Sequence, residues 1–137
     1  MKNRSELREI CIKVLYQIYI LEKAKVNYCI NDLIKEQLEI ENEFINNIVT
    51  GVTKNQGIIN KLADKYLIDW EIDRLSKVDK AILSVGIYEL VYTDTPPIVA
   101  INEAVELSHK YSDESVTKMI NACLDRIYHE EDLNGRK

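Results

Sequence analysis

Residues 81–91 constrain this chain more than any other stretch. Ala81, Ile82, Leu83, Val85, Gly86, Ile87, Leu90 and Val91, set at helical spacing, cover most of the circumference of one helix. A helix apolar on nearly all sides is buried on nearly all sides. Two helical subassemblies must therefore share it as their central element.

The flanking sequence supplies partners for such a helix. Leu7, Ile10, Cys11, Val14, Ile18 and Leu21 recur at steps of three and four, one apolar stripe on a first helix. A shorter helix is predicted around 27–38, with Ile30, Leu33 and Ile34 inward. From Glu41 the series Phe44, Ile45, Ile48, Val49, Val52, Ile59, Leu62, Ala63 and Tyr66 keeps helical phase. Gly51 within it suits a close helix approach, and Gly57 predicts a kink or break. Residues 69–75 read as a connector pinned by Trp70, and Ser76 with Asp79 comes close to a capping box for the central helix. Pro96 and Pro97 stop that helix and open the next. Residues 112–115 cap a last helix with Val116, Met119, Ile120, Cys123, Leu124 and Ile127 inward. The polar tail past Tyr128, and residues 130–137 above all, is expected to fray. The fold class expected is all-α, six to seven helices in two packed bundles within one domain spanning 1–137.

Composition narrows the function classes. With 46% hydrophobic and 30% charged residues, and only four Gly and two Pro in 137 residues, the chain reads as a soluble globular protein rather than an all-β one. No apolar run approaches the roughly 20 residues a membrane span needs, and the charged start lacks a signal-peptide core, which predicts a cytoplasmic protein. Cys11, Cys29 and Cys123 match no metal or redox spacing and read as reduced core residues. His109 and His129 lack Cys or carboxylate partners at metal spacing, and no phosphate-binding glycine loop occurs. Glu103 and Glu106 share a helix side and read as a solvated face. Neither a cofactor, a metal nor an enzyme is expected.

A net charge of −5 disfavours indiscriminate nucleic-acid binding, because the long-range field repels phosphate. The charge is uneven, however. Lys2, Arg4, Arg8, Lys13, Lys23 and Lys25 outnumber Glu6, Glu9 and Glu22 within the first 25 residues. Arg4 and Arg8 lie close on the first helix, with Tyr16 roughly 80° round from Arg8. Arginine can grip phosphate through its planar fork, and tyrosine can stack on an unpaired base. Lys118 and Asn121 on the last helix extend that surface only if the first and last helices are neighbours.

Several blocks, in order, then resemble one family. Residues 70–83 (WEIDRLSKVDKAIL), Tyr88-Glu89-Leu90 and residues 101–107 (INEAVEL) are similar to those of the bacterial NusB antitermination factors. So are Arg8-Glu9 followed by Leu15-Tyr16-Gln17, and Gly51-Val52. The resemblance implies an all-helical, non-enzymatic protein that binds boxA RNA of ribosomal RNA leader transcripts together with NusE, a small-subunit ribosomal protein. The complex helps RNA polymerase read through terminators. It also implies RNA contacts at Arg4 and Arg8, with Lys2 beside them; Lys118 and Asn121 stay RNA-binding candidates from the surface reading above. Contacts with NusE are implied at Tyr16, Asp79 and Ser115.

The chain departs from the family pattern in informative places. Relatives usually read Lys-Phe-Val-Asn-Gly-Val-Leu where this chain has Lys118-Met119-Ile120-Asn121-Ala122-Cys123-Leu124, and an Arg where it has Ser84. An aromatic is lost, and the N-terminal basic cluster is thin. Weak RNA affinity in the absence of NusE is expected. Two alternatives follow: a protein-interaction adaptor that kept the fold and lost RNA binding, and an RNA-modifying enzyme, since a similar helical domain precedes the catalytic domain of some ribosomal RNA cytosine methyltransferases. Some relatives pair, so a homodimer is also an expectation.

Overall fold

The computed structural model describes residues 2–133. Six α-helices make up the fold: α1 (Arg4–Lys23), α2 (Ile30–Gln37), α3 (Glu43–Tyr66), α4 (Lys77–Tyr92), α5 (Pro97–Tyr111) and α6 (Glu114–Glu130), with a 3-10 turn at Ile72–Arg74 before α4. No strand occurs among the described residues.

As the all-round apolar pattern requires, α4 sits at the centre. It packs against α1, α3, α5 and α6, and Ile82, Leu83, Ile87 and Leu90 are fully buried. Helices α1–α3 form one group and α5–α6 the other, with α4 shared and the second half of α3 reaching α6. Helices α1 and α6 share no substantial packing, since α4 and α5 stand between them. All of the helices but α2, whose N-cap Cys29 makes no side-chain capping bond, start where their local chemistry says they should. Asn3 and Glu6 form a reciprocal capping box on α1. Asn42 caps α3, Ser76 caps α4 and Asp113 caps α6 through side-chain oxygens, while α5 opens on Pro97.

Several expectations are corrected. The break in α3 falls at Asn55 (φ −110°, ψ 15°), not Gly57, because the Asn55 amide donates to the Gly51 carbonyl (2.8 Å) and competes with the helix ladder. Gly51 does serve close approach: a Cβ there would stand 2.2 Å from the Tyr88 ring of α4. Cys29 is exposed, because it occupies the N-cap of α2, whereas Cys11 and Cys123 are buried. Ser84 is buried and satisfied: its Oγ accepts from the Gln56 amide (3.1 Å), whose oxygen accepts from the Tyr19 hydroxyl (2.7 Å). The chain past Tyr128 is not frayed as far as it is described. It stays helical to Glu130, Glu131 accepts from Lys65 (2.8 Å) and the Tyr66 hydroxyl, and Leu133 is buried. Residues 134–137 lie outside the described residues.

Candidate nucleic-acid and partner interface

The residues expected to bind RNA do not form one surface. Arg8 is 4% exposed and lies between α4 and α5. Its Nε and Nη2 donate to the two oxygens of Glu89 (2.6 and 2.8 Å), and Nη1 donates to Glu103 (2.9 Å). Thr95 adds a hydroxyl donor to Glu89 (2.8 Å), and Ser5 adds one to Glu103. Burial works against the guanidinium's charge, but the hydrogen bonds and charges of Glu89 and Glu103 outweigh it and raise its pKa. The expectation that Arg8 grips phosphate is corrected here: its fork is spent on carboxylates inside the fold. Glu103 is likewise an internal partner rather than part of a solvated face.

Arg4 stays at the surface. Its guanidinium carbon lies 4.3 Å from the centroid of Phe44, which also faces Arg8 at 5.3 Å. Arg4 borders a groove of about 1070 Å³ that also takes in Asn47, Thr50 and Lys54 of α3 and Pro96 at the start of α5. Glu43 and Asp94 line it too, so its charge is balanced. Lys2 is exposed beside the N-cap of α1.

Lys118 lies on a different face. It borders a groove of about 380 Å³ between the connector and α6, lined by Ile68, Trp70, Ser115, Val116, Lys118, Met119, Ala122 and Arg126. Two cations and no carboxylate line it, in a chain of net charge −5. Lys118 is extended into solvent, with only a long 3.8 Å contact to Glu114. Asn121 is exposed on the same helix without lining the groove. Trp70 does not pin the connector, as the sequence suggested. Buried Leu67 and Ile72 do that, the Ile72 N–H donating to Asp64 (2.8 Å), and Trp70 is left 46% exposed.

The expected partner residues also divide. Tyr16, 39% exposed, borders a groove of about 320 Å³ with Ile12, Lys13, Gln17, Gln37, Val78 and Tyr111. Asp79 lies behind that groove, 7% exposed. Its N–H donates to Ser76 (3.1 Å), and its carboxylate accepts from Ser112 instead of turning back to complete a capping box. It fastens the α5–α6 turn to α4 more than it offers itself to a partner. Ser115 is exposed on the Trp70 side, its hydroxyl donating to Asp113 (2.8 Å). The turn after α5 thus forms the ridge between two grooves: Tyr111 lines one and Ser115 the other.

Residues 5–129 match the model of the NusB family. The chain belongs to the NusB family. The NusB transcription antitermination protein of Staphylococcus haemolyticus is 36% identical over 126 residues, covering 91% of this chain and 98% of that one. Its counterpart in Bacillus subtilis is 34% identical over 130 residues, covering 93% and 95%. Among solved structures, NusB of T. maritima superposes with a TM-score of 0.85 at 28% identity, covering 98% of this chain and 96% of that one. A structure of antitermination factors NusB and NusE in complex with double-stranded RNA gives a TM-score of 0.75 at 26% identity, covering 92% and 96%.

Trp70, Ile68 and Arg126 join the groove between the connector and α6 without a local signal that places them there. Trp70 carried a signal, an exposed-capable aromatic four residues before Arg74, but a lone Trp in a connector reads equally well as an anchor. Arg126 lies on α6, about two turns beyond Lys118. That it borders the connector follows only from the tertiary arrangement.

Proposed function

We propose that this chain is a NusB-type transcription antitermination factor. It binds boxA-type RNA of ribosomal RNA leader transcripts together with NusE, within the RNA polymerase antitermination complex. It works in the cytoplasm and by binding alone, without chemistry of its own.

The observation that carries this reading is the groove between the connector and α6. It gathers Lys118 and Arg126 beside an exposed tryptophan, with no carboxylate in its lining, on a chain that is acidic overall. Local positive charge of this kind directs phosphate to one place while the remaining field rejects it elsewhere. The neighbouring groove at Tyr16 and Tyr111 is more apolar and suits a protein, so RNA and NusE would meet across the α5–α6 turn. Lys2 and Arg4, at the other end of α4, would add phosphate contacts to a longer RNA.

A gel-shift titration with boxA-type RNA, NusE present, tests the reading. Replacing Lys118 and Arg126 by alanine should weaken binding and reduce the slope of log affinity against log salt by about 0.7 per lost contact. Unchanged affinity and slope would move the RNA off this groove. The commitment of Arg8 to Glu89 and Glu103 favours one second reading, an adaptor that binds NusE and has lost RNA. Tight NusE binding with no RNA retained at any salt would select it.

A further inference from the structure

We infer that Trp70 is a stacking platform for one unpaired base of single-stranded RNA, a role that rests on the RNA reading of the same groove. The backbone is bent to display the indole. Leu67 and Ile72 are both buried, and the four residues between them cross the surface. Asp69 adopts φ 62°, in the left-handed region that costs a non-glycine residue roughly 1 kcal/mol, although Asp is among the residues that tolerate it best. The bend turns the chain outward immediately before Trp70. The Ile72 N–H bonded to Asp64 then fixes where the turn ends.

An exposed tryptophan at a fixed position has uncompensated apolar area and an electron-rich face. Arg74 lies with its guanidinium carbon 6.0 Å from the ring centroid, at the outer limit of cation–π range, so it steadies the ring without covering it closely. Lys118 and Arg126 border the same groove; Arg126 gives one Nη1 donor to the Tyr66 carbonyl (3.3 Å), and its other donors, with the Lys118 ammonium, can meet phosphate there. Met119 and Ala122 offer a floor without a second ring. Among the described residues, Trp70 is the only aromatic that lines this groove. Asp69 and Glu71 flank Trp70 in sequence but do not line the groove, so the cations there meet phosphate without a lining carboxylate. Stacking needs a base whose face is free, which selects single-stranded over paired RNA.

The chain has one tryptophan, so the test reads one signal. Incorporating 5-fluorotryptophan gives a single ¹⁹F resonance to which NusE, made without the label, contributes nothing. Adding single-stranded boxA-type RNA to the complex with NusE should shift that resonance, and the same RNA annealed to its complement should leave it in place. In parallel, Trp70→Ala should lose about ten-fold or more in RNA affinity, while Trp70→Phe should stay within about three-fold of the parent. Circular dichroism and NusE binding check that both variants fold. RNA bound tightly with the resonance unmoved, or with Trp70→Ala as tight as the parent, overturns the inference and leaves the RNA reading standing. No RNA bound by the parent complex overturns the reading and the inference with it.

Discussion

Arg8 stands between two carboxylates, one of them almost wholly buried, and its removal strands charge inside the fold. Breaking such a cluster by deleting one partner costs about 3–5 kcal/mol, because Glu89 would keep its desolvation and lose its counter-ion. Arg8→Ala is therefore expected to lower unfolding free energy by that amount in urea titration, while Arg4→Ala, at the surface over Phe44, should change it by less than about 1 kcal/mol. Equal effects would contradict the distinction drawn between the two arginines. The glycines of α3 give a second contrast. Gly51→Ala pushes a methyl into the Tyr88 ring and should cost about 1–3 kcal/mol. Gly57→Ala meets nothing within 4 Å, and should stabilise by up to about 1 kcal/mol through helix propensity. Thermal unfolding of the two variants would show midpoints moving in opposite directions. The sequence could suggest that Gly51 serves close packing, because it sits in helical phase. It could not show where Arg8 points, since Glu89 and Glu103 lie 81 and 95 residues away.

Elements were more legible than single side chains. The apolar circumference of α4, the proline start of α5 and the Asp113 cap of α6 all follow from local rules, and the structure has each of them. The bend in α3 was misplaced by two residues, because its cause is a side-chain bond from Asn55 to Gly51 and not the conformational freedom of Gly57. The connector was read as a pin because a buried and an exposed tryptophan look alike until the anchors at Leu67 and Ile72 are seen. At this scale α6 carries a pH signature. Asp113 accepts the Val116 N–H (3.0 Å) and the Ser115 hydroxyl, and these bonds hold its carboxyl below the ordinary value near 3.8. A depressed folded-state pKa contributes stability above the unfolded value and loses it as pH falls through the folded one. Asp113→Asn keeps an acceptor but no titration. Its urea midpoint should change less than the parent's between about pH 5 and about pH 3. Parallel profiles for the two proteins would remove the cap from any account of acid sensitivity.

The whole molecule separates what the sequence grouped. Candidate residues from α1 and α6 were expected to share a surface if those helices were neighbours, and α4 and α5 keep them apart. What the fold builds instead is a pair of grooves on either side of the α5–α6 turn. One is lined by Tyr16 and Tyr111, the other by Trp70, Lys118 and Arg126. Asp79, bonded to Ser112, ties that turn to the start of the central helix. With Arg8 withdrawn from the surface, the proposed reading leaves two cations in the second groove to meet phosphate, and it assigns the remaining affinity to a partner seated in the first. The most direct measurement is the dissociation constant for single-stranded boxA-type RNA with and without saturating NusE, at one fixed salt concentration. The account predicts tightening by ten-fold or more when NusE is present, a coupling of about 1.4 kcal/mol or greater. Equal affinity in both cases would contradict it.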